Sequence, residues 1–141
     1  MTDGLERFIA AQDRGRTYEM ALDELRSGRK RSHWMWFVFP QVAGLGRSEA
    51  ARYYALSGLD EAQGYLAHPV LGQRLVECTA ALVDLATSDP VAVMGETDAQ
   101  KLRSSMTLFL HAADPSQRAP FRAVLEKFFL GTEDQATLSR I

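Results

Sequence analysis

Hydrophobic residues recur along most of the chain at helical spacing, and this pattern predicts a mainly α-helical protein. The clearest stripe follows Pro69, with apolar residues at i, i+4, i+7, i+11 and i+14. Its members are Leu71, Leu75, Cys78, Leu82 and Leu85. Proline suits the first turn of a helix, so we expect this helix to open at His68-Pro69.

Similar stripes predict further helices on both sides of this one. They run over residues 5–9, 17–28, 48–56, 60–67, 97–113 and 121–129, with a short tail helix after 134. Short polar side chains that can accept a hydrogen bond from a free backbone N–H mark the predicted N-caps. These caps are Thr17, Ser48, Asp60, Thr97 and Asp134. The pattern therefore predicts about seven or eight helices in a single domain over residues 1–141.

The segment Trp34-Met-Trp-Phe-Val-Phe39 is ambiguous, because six consecutive apolar residues fit a buried strand or a buried helical turn equally well. No second segment resembles a strand partner, and a lone strand leaves its backbone polar groups unpaired. We therefore predict a buried helix that is capped by Ser32 and ends before Pro40.

Composition is that of an ordinary globular domain, with 141 residues, 46% of them hydrophobic and 24% charged. The net charge of -2 argues against a general nucleic-acid or membrane-surface binder. The sequence has no run of 18 apolar residues and no signal-peptide pattern, so we expect no membrane association. Cys78 is the single cysteine, which excludes an internal disulfide framework and favours a cytoplasmic location.

Basic and aromatic residues are concentrated in segment 26–48, which we call the basic-aromatic segment. Its basic run consists of Arg26, Arg29, Lys30 and Arg31, and its aromatic residues are Trp34, Trp36, Phe37 and Phe39. One interpretation makes the aromatic residues core anchors and the basic run a solvated turn. The other places one or both tryptophans in a pocket wall, where an indole can stack on a flat ligand.

The same segment ends in Gly44-Leu-Gly46-Arg-Ser48, directly before a predicted helix. Two glycines permit close backbone approach, and free N–H groups at a helix start attract anions. The third glycine of a dinucleotide fingerprint is missing, and no Gly-Lys-Ser/Thr of a P-loop follows. A tight turn with an ordinary cap is the alternative interpretation.

A second polar cluster lies in the helix predicted after residue 97. Asp98, Lys101 and Ser105 share one face, and Ser104 lies beside them. This cluster is either a solvated face with an Asp–Lys pair or one wall of a binding site. Among the histidines, only His33 is a candidate for proton transfer, because it borders the basic-aromatic segment. The histidine and cysteine spacing predicts no metal site, and we expect no cofactor.

Four motifs resemble a bacterial family known as domain of unknown function 1810. They are Ser32-His-Trp-Met-Trp-Phe-Val-Phe-Pro-Gln41 with Gly44-Leu-Gly46-x-Ser48, then Tyr65-Leu-Ala-His-Pro-Val-Leu-Gly-Gln-Arg-Leu75, then Asp98-x-x-Lys101-Leu-x-Ser-Ser-Met-Thr-Leu-Phe109, and Phe129-Leu-Gly131 with Asp134 and Thr137-Leu138. The resemblance implies a small, mainly helical single domain and brings no established activity. Members are sometimes labelled calpastatin-like, but such inhibitors are disordered, whereas this chain has well-formed amphipathic helices.

Two functional hypotheses follow. In the first, the chain binds a nucleotide-like anionic small molecule in a pocket. Its predicted lining is Lys30, Arg31, Trp34, Trp36, Gln41, Gly44, Gly46, Ser48, Lys101, Ser104 and Ser105. Lys101-x-Arg103 in a helix, followed by a Phe-rich helix and an acidic tail, is similar to helical enzymes that act on ADP-ribose conjugates. This similarity implies glycoside-bond cleavage as the reaction, with His33 or Asp98 as acid or base.

In the second hypothesis, the basic-aromatic segment is a non-enzymatic interaction module for an acidic protein partner. Its arginines also leave sequence-tolerant nucleic-acid binding open as a weaker possibility. The first hypothesis requires that the tryptophan-rich stretch and the Lys101 helix meet across a shared hollow.

Overall fold

A computed structural model describes residues 3–141, and the predicted mainly α-helical fold is confirmed. The α-helices are α1 Glu6–Asp13, α2 Thr17–Ser27, α3 Met35–Val38, α4 Glu49–Tyr53, α5 Leu59–Ala67, α6 Leu71–Val83, α7 Pro90–Met94, α8 Glu96–Ala112, α9 Ala119–Phe129 and α10 Gln135–Leu138. Short 3-10 helices occupy Asp3–Leu5, Arg14–Arg16 and Pro115–Gln117. Residues 3–141 contain no β-strand, and an isolated bridge joins Val42 to Leu56. Within this range, no helix is both long and apolar enough to cross a membrane.

Helix α8 is the central element of the fold. It packs against α5, α7, α9 and α10, and every residue from Ser104 to Leu110 is buried. A helix that is surrounded in this way needs small or apolar side chains on all its faces. Phe109 illustrates the packing, because its ring centroid lies 5.4 Å from that of Tyr65 and 5.9 Å from that of Phe121.

The connection between α5 and α6 depends on a close backbone approach. A Cβ atom on Gly72 would lie 2.1 Å from the carbonyl oxygen of Leu66, so no larger residue fits without a backbone shift. His68 caps the start of α6, because its Nδ1 accepts hydrogen bonds from the N–H groups of Val70 and Leu71 at 3.1 and 3.3 Å. The predicted helix start at His68-Pro69 is therefore two residues too early, although His68 does serve it.

Two of the predicted N-caps are confirmed. The Ser48 hydroxyl accepts a hydrogen bond from the Ala51 N–H at 3.1 Å, and the Asp134 carboxylate accepts one from the Thr137 N–H at 2.9 Å.

The other three caps are wrong, because Thr17, Asp60 and Thr97 lie within the first turns of their helices. Gly95, with φ of 85°, lets the backbone enter α8 before Thr97 is reached. Gly58 precedes α5 in an extended conformation and has no side chain to cap it.

The ambiguous apolar segment forms a helix, as predicted, but only over Met35–Val38. Trp34 is its N-cap residue, and Ser32 does not cap it. Ser32 instead donates its hydroxyl hydrogen bond to Glu24 on α2, at 2.6 Å. The short helix packs on α1 and turns toward Pro40, which starts the loop that carries the candidate site.

Candidate functional site

The site is built on Glu24, a carboxylate that is buried near the end of α2 with 8% exposure. It accepts hydrogen bonds from the backbone N–H groups of Arg31 and Ser32 at 2.7 and 3.0 Å, and from Trp34 Nε1 at 2.9 Å. The Ser32 hydroxyl is its fourth donor. Burial raises the pKa of Glu24, but these hydrogen bonds outweigh it and lower the pKa to about 2. The ionised carboxylate therefore fixes the loop that precedes α3.

Lys30 lies in this fixed loop, and its side chain is only 8% exposed. Its backbone N–H donates to the carbonyl of Val93 at 2.8 Å. Its Nζ lies 2.8 Å from Asp98 Oδ2 and 4.9 Å from the centre of the Trp34 ring. A buried ammonium needs such a partner, because it has lost most of its hydration.

Asp98 serves a second lysine as well. Lys101 Nζ lies 3.5 Å from Asp98 Oδ1 and 4.5 Å from the centre of the Trp36 ring. Two ammonium groups therefore share one carboxylate, which leaves an excess of one positive charge. The Lys101 side chain is 23% exposed, against 8% for Lys30, so this excess charge reaches solvent at Lys101.

Lys101 opens into a surface hollow of about 290 Å³. The walls come from the loop after Pro40, the first half of α8 and the start of α10. The lining residues are Gln41, Leu45, Gly46, Thr97, Gln100, Lys101, Ser104, Asp134 and Ala136. We call this depression the Lys101 hollow.

Backbone hydrogen bonds hold the loop wall of the hollow in place. The Leu56 N–H donates to the Gln41 carbonyl at 2.9 Å, and the Ala43 N–H donates to the Leu56 carbonyl at 2.7 Å. On the inner wall, the Ser104 hydroxyl donates to the Gln100 carbonyl at 3.1 Å.

The opposite wall is tied to α8 through Asp134, whose backbone N–H donates to Thr107 Oγ1 at 2.9 Å. One oxygen of the Asp134 carboxylate accepts from both the N–H and the hydroxyl of Thr137. The only carboxylate of the lining therefore uses one oxygen as the cap of α10, and its other oxygen has no hydrogen-bond partner among residues 3–141.

The structure brings four of the sequence-predicted site residues together in the lining: Gln41, Gly46, Lys101 and Ser104. Lys30 and Asp98 lie outside the lining, and Asp98 forms ion pairs with both Lys30 and Lys101.

Neither tryptophan lines the Lys101 hollow. Trp34 has 0% exposure and its Nε1 is used by Glu24, so its predicted stacking role is replaced by a place in the core. Trp36 is partly exposed, but Lys101 lies over its ring and it does not line the hollow. Within residues 3–141, its buried Nε1 has no hydrogen-bond partner. Ser105 is wholly buried and also lies outside the lining.

The remaining predicted residues lie at the edge of the site or outside its lining. Arg31 and His33 are exposed and do not line the hollow. Gly44 precedes the lining residue Leu45 and has φ of 97°, and Ser48 is the exposed cap of α4. Of the two acid/base candidates, Asp98 is committed to ion pairs with two ammonium groups, whereas His33 is exposed to solvent.

Sequence reasoning missed Glu24, which orders the whole loop. A signal for it exists, because an acidic residue near the C-terminal end of a helix opposes the helix dipole and needs compensating donors. Sequence reasoning also missed Asp134 as a lining residue, although it identified the same residue as a helix cap.

A larger depression of about 400 Å³ lies between α5, α6 and the start of α9. Its lining is Leu66, Gly72, Gln73, Val76, Ser116, Gln117, Pro120 and Phe121. These side chains include no ionisable group, so the depression lacks chemistry for catalysis or for charge recognition. Size alone would favour it, but the Lys101 hollow has the charge and the polar groups that a specific site needs.

Metal and thiol chemistry find no support in the described part of the chain. Residues 3–141 contain no group of three or more His, Cys, Asp or Glu side chains that could hold a metal ion. Cys78 is buried, and burial raises the pKa of its thiol to about 12. The thiol therefore stays protonated at neutral pH and is a poor nucleophile.

Comparisons with known proteins agree with the fold and leave the activity open. The family model described as protein of unknown function (DUF1810) matches residues 2–141. A solved structure of the conserved hypothetical protein Rv1873 from Mycobacterium tuberculosis is similar, with 46% sequence identity and a TM-score of 0.91. The match covers 96% of this chain and 94% of that one. No curated protein matches the chain.

Proposed function

The chain belongs to the DUF1810 family of proteins of unknown function, and we propose that its Lys101 hollow binds a small anionic molecule. One observation carries the proposal: the excess positive charge of the Lys30–Asp98–Lys101 cluster reaches solvent inside a concave surface. An ammonium in a partly enclosed site attracts an anion more strongly than one in bulk water, because the local dielectric is lower.

The neutral polar groups of the hollow supply the directional contacts that an anion requires. The Gln41 amide can donate hydrogen bonds, and the Ser104 hydroxyl can turn from the Gln100 carbonyl toward a ligand. Lys101 has three donor hydrogens, and its ion pair with Asp98 at 3.5 Å is long enough to leave some of them free.

The volume of the hollow limits the size of the ligand that it can enclose. At about 290 Å³ it is at the lower end of small-molecule sites. For the nucleotide-like ligand expected from the sequence, we infer that the phosphate end enters the hollow and that the base remains outside. Stacking on an indole is not required in this arrangement.

Ligand titrations test the proposal directly. We expect inorganic phosphate, AMP or ADP-ribose to raise the melting temperature by several degrees when the ligand is about a hundredfold above its Kd. Uncharged adenosine should have no such effect. Differential scanning fluorimetry would screen these compounds, and isothermal titration calorimetry would measure the affinities.

Three variants sharpen this test. Lys101→Met keeps an aliphatic side chain over Trp36 but removes the charge, so it should abolish the stabilisation. Asp98→Asn removes the competing carboxylate and should strengthen anion binding, at a cost in stability because the buried Lys30 loses its partner. Arg122→Ala, which changes an exposed arginine on α9, is the control and should bind like the wild type. Equal anion affinity in the wild type and Lys101→Met, or no binding by any anion, would refute the proposal.

We do not extend the proposal to cleavage of a glycosidic bond. That reaction needs a group that can donate a proton to the leaving oxygen. Asp98 is committed to ion pairs with two ammonium groups and does not line the hollow, and His33 lies outside the lining as well.

An interaction surface for an acidic protein is the second candidate. It rests on the exposed side chains of Arg26, at the end of α2, and of Arg29 and Arg31 in the loop that follows. The aromatic residues of the same segment contribute little to it, because Trp34 and Phe39 are buried. Replacing the three arginines by alanine would weaken such an interface and leave anion binding at Lys101 unchanged.

A further inference from the structure

Arg140 does not itself line the Lys101 hollow, but it lies against the loop that forms one of its walls, and its position there depends on a glycine. Its guanidinium packs against Gly44, so closely that a Cβ atom there would lie 2.2 Å from Arg140 Nη1. Gly44 directly precedes Leu45, which lines the hollow, and two residues further on Gly46 lines it as well. The arginine therefore lies beside the loop wall of the hollow.

Hydrogen bonds hold residues 134–140, the segment that ends in Arg140, against the rest of the protein. The Arg140 N–H donates to the Thr137 carbonyl at 2.9 Å, which continues the turn of α10. Thr137 is wholly buried and is bonded to the Asp134 carboxylate. Asp134 is in turn bonded to Thr107 on α8. Helix α8, which carries Lys101, therefore also holds the segment that carries Arg140.

The guanidinium of Arg140 is free to bind a ligand. Within the part of the chain that the structure describes, it forms no ion pair, and its side chain donates no hydrogen bond. By contrast, Arg7 and Arg74 are engaged by carbonyl or carboxylate groups. Arg140 is exposed, and a guanidinium without a partner keeps its forked set of donors available to a ligand.

We propose that Arg140 is a second cationic contact of the anion site, and that the ligand carries a phosphate rather than a carboxylate. This inference rests on the proposed function of the Lys101 hollow. A phosphate has three acceptor oxygens and about two negative charges, so it can contact cations from two directions at once. A single carboxylate has one charge and two oxygens, and one of the two cations would satisfy it.

Calorimetric titration with inorganic phosphate and with acetate tests this inference. We expect the wild type to bind phosphate more tightly than acetate. Arg140→Ala should weaken phosphate binding roughly tenfold or more, the size expected for one charge-assisted hydrogen-bonding contact, and should change acetate binding less than twofold. Arg140→Lys should recover only part of the phosphate affinity, because an ammonium cannot form a fork.

One control variant and three outcomes distinguish a failure of the Arg140 inference from a failure of the proposed function. Arg122→Ala, on an exposed part of α9, should leave both affinities unchanged. If Lys101→Met loses phosphate binding while Arg140→Ala retains it, the role of Arg140 is refuted and the proposed function stands. If the wild type binds neither anion, both proposals fail. Equal losses of acetate and phosphate in Arg140→Ala would refute the preference for phosphate.

Discussion

Glu24 shows how one side chain can order a loop that has no regular structure of its own. Four donors converge on its carboxylate, and all of them come from the three positions Arg31, Ser32 and Trp34. Such a charged acceptor is worth more than a neutral one, because hydrogen bonds to ions are the stronger class. Lys30, which lies next to these donors in the chain, is positioned by the same loop.

The lowered pKa of Glu24 predicts a specific acid sensitivity. The pKa falls from its ordinary 4.5 to about 2, so the folded state binds the proton less readily than the unfolded state. The stabilisation is therefore complete above pH 4.5 and is lost as the pH falls from 4.5 toward 2. A shift of this size corresponds to about 3 kcal/mol of unfolding free energy.

Urea unfolding of the wild type and of Glu24→Gln across this pH range would measure the effect. We expect the variant to be less stable by about 2–3 kcal/mol at neutral pH and to lack the wild-type decline below pH 4.5. Glu19→Gln, at an exposed position of the same helix, is the matched control and should follow the wild type. Parallel pH curves for Glu24→Gln and the wild type would contradict this account.

At the level of elements, the sequence predicted the long helices well and their beginnings poorly. Apolar stripes identified α2, α6, α8 and α9, because burying one face requires side chains at helical spacing. Cap residues were less reliable, since Gly58 and Gly95 enter their helices through backbone geometry without any side-chain acceptor. α7, capped by Asp89, was not predicted at all.

Two glycines in neighbouring helices give a matched test of the packing between α5 and α6. Alanine at position 72 would place its Cβ 2.1 Å from the Leu66 carbonyl oxygen, whereas at position 64 the nearest atom is Leu5 Cδ1 at 3.9 Å. We expect Gly72→Ala to lower the unfolding free energy by about 1–3 kcal/mol. Gly64→Ala should raise it by up to about 1 kcal/mol, because alanine is the better helix former.

Thermal or urea denaturation of both variants would check this prediction, with α-helical circular dichroism as the signal. A Gly72→Ala protein as stable as the wild type would show that α5 and α6 can separate without cost.

On the scale of the whole molecule, the fold was more predictable than the site. A helical domain of this length follows from periodicity and composition, both of which are properties of neighbouring residues. The site depends on contacts across large sequence separations, such as Lys30 with Asp98 and Gly44 with Arg140. Local patterns cannot report such contacts, although four of the residues selected by type, Lys101, Ser104, Gln41 and Gly46, line one hollow.

The two tryptophans are a further case in which the sequence identified the residues but could not predict their surroundings. Sequence spacing alone could not separate their roles, because Trp34 and Trp36 both lie in one apolar run. Their packing in the structure differs: Trp34 is buried in the core beside Glu24 and Lys30, whereas Trp36 lies under Lys101.

This separation gives the chain a built-in optical reporter, since Trp34 and Trp36 are its two tryptophans. Indole emission responds to nearby charge and to water. Trp34 has 0% exposure and contributes the emission of an indole that is shielded from water. Trp36 lies 4.5 Å from the Lys101 ammonium, so an anion that draws this lysine away should change its emission. Intrinsic fluorescence can therefore follow occupancy of the hollow without a label. A Trp36→Phe variant would show the signal of Trp34 alone.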